Sequence, residues 1–185
     1  MPLVKTDEQQ IIKSALKLFR KQSYFNTSMA EIAKSSGLLK GSLYHYFTSK
    51  EDLMKKVIIS VHDYFKSNVF SHAYNDQWSP KERMSKLFES ASHVFLYKED
   101  GTFIGNIGVE SAVMSPEFAE IIRYFFLDFF HAVKTIYHTV HPLEESEELA
   151  ERAVAEIEGS LMLCRLFNTD QYLKNTMKRL LKRLD

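Results

Sequence analysis

Cysteine occurs once in the 185 residues, and so does tryptophan. A single thiol excludes an internal disulfide framework and any zinc site that needs two thiolates from one chain. Six glycines and four prolines are too few for collagen-like or low-complexity sequence. No apolar run reaches the roughly 18 residues of a membrane span. The opening MPLVKTDEQQ has no apolar signal-peptide core. A cytoplasmic protein without a membrane partner is expected. The 45% hydrophobic content is enough to bury a core, and the length suits one domain or one plus a small module.

Net charge is also missing, since 24 basic residues balance 24 acidic ones. The balance is uneven along the chain. Residues 1–50 carry eight basic groups (Lys5, Lys13, Lys17, Arg20, Lys21, Lys34, Lys40 and Lys50) against Asp7, Glu8 and Glu31. The remainder holds 16 basic and 21 acidic groups. A basic end on a neutral chain points to a polyanion partner at that end, unless the run is only a solvated face.

With glycine and proline scarce, apolar residues recur at spacings of three and four, so the whole chain reads as helices. Ile11, Ile12, Ala15, Leu18 and Phe19 make the stripe of a first helix over about 7–22. Ser28-x-x-Glu31 is a capping box that opens a short second helix, which SSG at 35–37 stops. A third helix is expected over about 40–46. Thr48-x-x-Glu51 is a second capping box, starting a long fourth helix to about residue 71. Later helices are expected over about 80–97, 115–141, 146–167 and 171–184, with a helical turn or two over 103–112.

Two short helices joined by SSGLL, the second starting with Lys40 and rich in tyrosine, make a helix-turn-helix. In such a unit the first helix holds the second in the major groove of DNA. Lys40 and His45 offer donors, and Ser42 donates or accepts. Gly41 removes a side chain where a helix end must approach the sugar-phosphate chain. Tyr44 and Tyr46 can give hydroxyls to phosphates. Lys50 adds its charge to the positive end of the fourth helix, and Thr27 and Ser28 offer hydroxyls beside the free N–H groups of the second. The competing reading makes Tyr44 and Phe47 core aromatics that seal the three helices. Leu43 and Phe47 are expected in the core, Tyr44 partly so.

The stretch TSMAEIAKSSGLLKGSLYHYFTSKEDL, residues 27–53, resembles the DNA-binding signature of the TetR/AcrR family of transcriptional regulators. With IIKSALKLF before it, the resemblance covers roughly the first 60 residues. It implies an all-α protein of about nine helices: a three-helix DNA-binding bundle over 5–50, with its helix-turn-helix at about 28–47, then a larger ligand-binding and dimerisation domain over 51–185. It marks Thr27, Ser28, Lys40, Gly41, Ser42, Tyr44, His45, Tyr46 and Lys50 as DNA contacts. Leu39 departs from the family, which often has Ser or Thr there as the cap of the recognition helix.

The resemblance also implies a homodimer, a double-stranded operator and a small-molecule effector. In the long helix after Pro116, Phe118, Ile122, Phe129 and Val133 lie on one stripe, and Val154, Ile157 and Leu161 on a stripe of the next helix. These seven are the expected dimer interface, with a purely intrachain core as the alternative. Candidate ligand-pocket residues are His62, His93, Phe103, Asn106, Glu110, Tyr124 and Asp128, around a largely apolar ligand. No nucleophile–base pairing, phosphate loop or carboxylate pair stands out, so neither an enzyme nor a cofactor is expected. His131, His138 and His141 more often cap carbonyls than bind metal. Cys164, on an apolar face, reads as a small core residue. The expected function is a repressor released from an inverted-repeat operator. The alternative is a ligand- or partner-binding helical protein whose DNA-binding module is vestigial.

Overall fold

The computed structural model describes residues 7–96, 104, 107 and 116–185. Among them the chain is all-helical and divides into two compact units, residues 1–61 and 62–185.

In the first unit, α1 (Glu8–Gln22) starts at Asp7, whose carboxylate accepts from the Gln10 N–H at 2.8 Å. Glu8 in its first turn and Arg20 and Lys21 in its last complement the helix dipole. Ile11, Ile12, Ala15 and Phe19 are buried, and they carry the apolar stripe into the core. The helix α2 (Met29–Ser35) has the expected capping box: the Glu31 N–H donates to Ser28 Oγ at 3.2 Å, and the Ser28 N–H to Glu31 Oε2 at 2.8 Å. It ends in a Schellman motif. The Leu38 N–H reaches the Ala33 carbonyl at 2.8 Å and the Gly37 N–H the Lys34 carbonyl at 3.2 Å, with Gly37 at φ 71°. Glycine is required there because a Cβ is strained at positive φ.

Two expectations shift. The third helix, α3 (Lys40–Leu43), is only four residues long. Residues 44–46 continue as turns, with N–H groups of His45 and Tyr46 donating three residues back. A run of aromatic and histidine residues propagates a helix poorly. The cap of α4 (Lys50–Asn68) sits one residue later than expected. Ser49 Oγ accepts from the Asp52 N–H at 3.1 Å, and Asp52 Oδ2 from the Thr48 N–H at 3.0 Å. Glu51, the expected partner of Thr48, accepts a hydrogen bond from Tyr24 instead.

The second unit takes the end of α4, a 3-10 turn at Phe70–Tyr74, α5 (Pro80–Leu96), α6 (Pro116–Tyr137), α7 (Leu143–Leu166) and α8 (Gln171–Lys182). The 3-10 turn was not expected from the sequence. α6 stops at Tyr137, four residues earlier than expected, and residues 138–140 continue as turns before Pro142. α6 packs on α5, α7 and the 3-10 turn, and α8 on α5 and α7. An aromatic cluster centres the core: Phe70 stacks on Phe129 at 5.3 Å, and Phe65 meets Phe125 edge-on at 5.2 Å.

The seven residues expected at a dimer interface lie in this packing. Phe118, Ile122, Phe129, Val133, Val154, Ile157 and Leu161 are all buried within the single chain, none more than 4% exposed. Periodicity marks positions that leave water, but it does not say which chain covers them. Here α6 and α7 cover each other.

Candidate nucleic-acid interface

Leu43 and Phe47 are 0% and 1% exposed and anchor α3 and its following turn to the first unit. With these two inside, the intervening residues point out. Lys40, Gly41, Tyr44, His45 and Tyr46 are exposed, and Ser42 is half-buried. Tyr44 is 45% exposed, so it is not the core aromatic the competing reading made it. Leu39 stands as the N-cap of α3 with no side-chain hydrogen bond to the helix, as its side chain dictates. A Cβ added at Gly41 would meet no atom of this chain within 4 Å, so the fold itself does not demand glycine there.

Lys40 and Tyr44 line an open cleft of about 400 Å³. The loop before α2 and its first turn, with Ser28, Met29 and Ala30, line it too, as does Lys50. Five expected contacts are thus brought together: Thr27, Ser28, Lys40, Tyr44 and Lys50. Gly41, Ser42, His45 and Tyr46 lie outside this cleft.

Three side chains are already engaged. Thr27 is 2% exposed, and its hydroxyl donates to the Ser23 carbonyl at 2.7 Å. It shapes the loop from within instead of facing a partner. Ser28 Oγ serves the capping box, and the hydrogen bonds from its side chain and backbone hold the Glu31 carboxyl below its ordinary range. The Lys50 ammonium donates to the carbonyls of Tyr24 and Thr27, both at 3.1 Å, and sits 4.2 Å from the centre of the Tyr24 ring. Tyr24 Oη donates to Glu51 Oε1 at 3.0 Å. The Glu51 carboxyl is held low first by its own backbone N–H and then by Ser49. Sequence reasoning missed Tyr24 and Glu51, because no spacing rule links residues 27 apart.

Residues 11–57 match the model of the tetR family of bacterial regulatory proteins. Over this segment the chain is similar to the DNA-binding part of the TetR family. It is 28% identical over 115 residues to the HTH-type transcriptional regulator LmrA of Bacillus subtilis, covering 60% of this chain and 61% of LmrA. It is 25% identical over 167 residues to the uncharacterized HTH-type transcriptional regulator YxaF of the same organism, covering 88% and 86%. A shorter match, 40% over 72 residues, covers 39% of this chain and 23% of the uncharacterized HTH-type transcriptional regulator YuxN. The chain thus spans less than two thirds of the length of YuxN and of LmrA. The crystal structure of a TetR transcriptional regulator from Legionella pneumophila superposes with a TM-score of 0.87 at 24% identity over 97% of both chains. One from Chloroflexus aurantiacus gives 0.82 at 21%, over 94% of this chain and 91% of that one. At these identities the likeness is one of fold. The relatives and structural neighbours are transcriptional regulators, not enzymes.

In the second unit, three of the seven expected pocket residues, His62, Tyr124 and Asp128, are described. His62 and Asp128 meet each other, Nε2 to Oδ2 at 2.9 Å. Tyr124 is 57% exposed on α6. Phe103, Asn106, Glu110 and the side chain of His93 lie outside the described residues. The second unit also contains a void of about 10 Å³ between Leu87, Phe88, Phe129, Ile157 and Leu173, room for about one water and no ligand. Cys164 is 5% exposed, with the Leu173 N–H directed at its sulfur at 3.4 Å. His138 and His141 contact backbone carbonyls. Among the described residues no helix is long and apolar enough to cross a membrane.

Proposed function

We propose that this chain is a sequence-specific transcriptional regulator of the TetR family, a repressor released from an inverted-repeat operator by a small, largely apolar ligand. The observation that carries the reading is the cleft where Lys40 and Tyr44 of α3, Lys50 of α4 and the start of α2 converge. In this reading α3 enters the major groove. Lys40, Ser42 and His45 reach base edges. Tyr44, Tyr46, Ser28 and Lys50 take phosphates, and Gly41 admits the backbone closely. Thr27 contributes by shaping the loop.

TetR regulators dimerise. With the α6 and α7 stripes already buried in the single chain, the surface we assign to a second copy is the outer face of α7. Met162 and Leu166 are 61% and 73% exposed there, with Phe167 exposed just beyond. Gly159 lies on the same face, exposed, and a Cβ there would meet nothing of this chain. Glycine inside a helix costs up to about 1 kcal/mol relative to alanine. Close approach by a partner helix supplies the reason that the single chain lacks. A two-fold dimer would set two recognition helices about 34 Å apart, one turn of DNA.

The effector belongs to the second unit, where His93, Phe103, Asn106, Glu110 and Tyr124 are the candidates. His62 and Asp128 stay candidates only if a ligand parts them. Release is a coupling free energy: the ligand prefers a conformation that binds DNA less well. α4 is the mechanical link, one continuous helix from Lys50 to Asn68.

The test is selection of duplexes from a random library by the purified protein at moderate salt. An enriched inverted repeat is expected. A folded dimer that enriches no sequence would overturn the reading in favour of a ligand-binding protein with a vestigial DNA module.

A further inference from the structure

We propose that Tyr24 is a positioning residue for DNA binding: it seats the Lys50 ammonium at the wall of the cleft and is itself tied down by Glu51. This rests on the DNA-binding reading above. Tyr24 is 6% exposed and cannot meet DNA itself. It acts through Lys50 in two ways, with its carbonyl 3.1 Å from the ammonium and its ring centre 4.2 Å away. The Thr27 carbonyl, also at 3.1 Å, completes the seat. A lysine ammonium has three N–H donors. Two are used here, so one remains for an acceptor in the cleft that Ser28, Lys40 and Tyr44 also line.

The physical gain is preorganisation. A free lysine loses much rotamer freedom when a phosphate fixes it. Lys50 has lost that freedom on folding, so a phosphate meets a charge already in place. The face of an aromatic ring and two carbonyls hold a cation without neutralising it. An opposing carboxylate would cancel the charge that DNA must see. Glu51 gives its Oε1 to the tyrosine hydroxyl and feels the Lys50 charge only as the weakest of the influences on it, so most of that charge stays available, and burial followed by the Glu51 contact keeps the phenol protonated as a donor. Phe19 packs against the same ring, tilted, at 5.5 Å.

The test uses the full-length protein and a double-stranded DNA of generic sequence, with affinity measured over a series of salt concentrations. Lys50→Ala should weaken binding and lower the salt slope by about one per protomer. Tyr24→Leu should do the same, losing roughly five- to tenfold. In the Lys50→Ala background it should cost nothing further. Tyr24→Phe keeps the ring and should fall in between. A Tyr24→Leu protein with unchanged slope, or with a loss that adds fully to that of Lys50→Ala, overturns the proposal. If Tyr24→Leu fails to fold, Glu51→Gln and Tyr24→Phe carry the same comparison. An independent readout needs no DNA: ring currents should shift the Lys50 ε-methylene protons upfield in the wild type but not in Tyr24→Leu. If that shift is present and the wild type binds no duplex, the DNA-binding reading has failed and the seat has some other role. If the shift is absent, the seat itself is wrong.

Discussion

His62 Nε2 lies 2.9 Å from Asp128 Oδ2, and Lys66 Nζ lies 3.2 Å from the same oxygen. These contacts join the last turns of α4 to α6. Phe125 meets the His62 ring edge-on at 5.7 Å. Two residues expected from the sequence to touch a ligand instead satisfy each other.

Burial pushes the Asp128 carboxyl up, and the hydrogen bonds from His62 and Lys66 outweigh it, so the group stays below its ordinary value. A carboxyl depressed in the folded state adds stability above its unfolded value, near 3.9, and loses it as pH falls through the folded one. Asp128→Asn should therefore unfold more easily than wild type at pH 7, by about 1 kcal/mol or less, since the cluster is partly screened. Melting curves should converge below about pH 4. A gap that is the same at pH 7 and pH 3 would count against the contact.

Ser23 is held at φ 69° and ψ 163°, a region that is essentially glycine's and costs a side chain about 1–3 kcal/mol. Hydrogen bonds to its carbonyl from Thr27 and to its hydroxyl from Asn26 hold it there. Ser23→Gly should raise the urea midpoint by the equivalent of about 1 kcal/mol, after the cost in unfolded-state entropy. A lowered midpoint would mean that the Asn26 contact outweighs the strain.

Gly41→Ala separates fold from function. Nothing of this chain fills the space, so helix propensity should keep stability unchanged or raise it by up to about 1 kcal/mol. Operator binding should weaken, because a methyl group stands where the backbone must approach DNA. Unaltered affinity, measured by titration of the selected operator, would remove α3 from the interface as we place it.

Met162→Glu with Leu166→Glu should yield a folded monomer in sedimentation, since both side chains are exposed. Phe129→Ala should instead cost about 3–5 kcal/mol of stability, because Phe129 is 3% exposed in the aromatic core. A double variant that still sediments as a dimer would place the interface elsewhere.

Glu158 on α7 has its carboxyl pushed up to about 7 by burial. No described residue offers it a hydrogen bond or ion pair. An acid raised in the folded state costs stability as pH rises from its unfolded value, near 4.3, to its folded one. Glu158→Gln should match wild type near pH 4 and exceed it at pH 8 by on the order of 1–2 kcal/mol. Equal stability at both values would mean that the carboxylate is solvated.

Local rules did well wherever partners are near in sequence. The Ser28–Glu31 box and the turn at Gly37 are readable, because a cap satisfies N–H groups a few residues away. At the start of α4 both Thr48–Glu51 and Ser49–Asp52 fit the pattern, and Glu51 is engaged by its own backbone N–H, Ser49 and the distant Tyr24 instead of Thr48. The exposed surface of α3 was legible because Leu43 and Phe47, four residues apart, had to be core.

By itself the sequence determined that the chain is helical, roughly where most of its helices lie, and that its basic first 50 residues carry the resemblance to a DNA reader. Those properties depend on periodicity, caps and charge, which operate over a few residues. Only the tertiary structure decided that the apolar stripes of α6 and α7 cover one another, leaving the outer face of α7 open. It also decided that Lys50 is seated on Tyr24 and that His62 finds Asp128. Burial and hydrogen bonding between residues tens of positions apart are set by packing, and packing is not a local property of the chain.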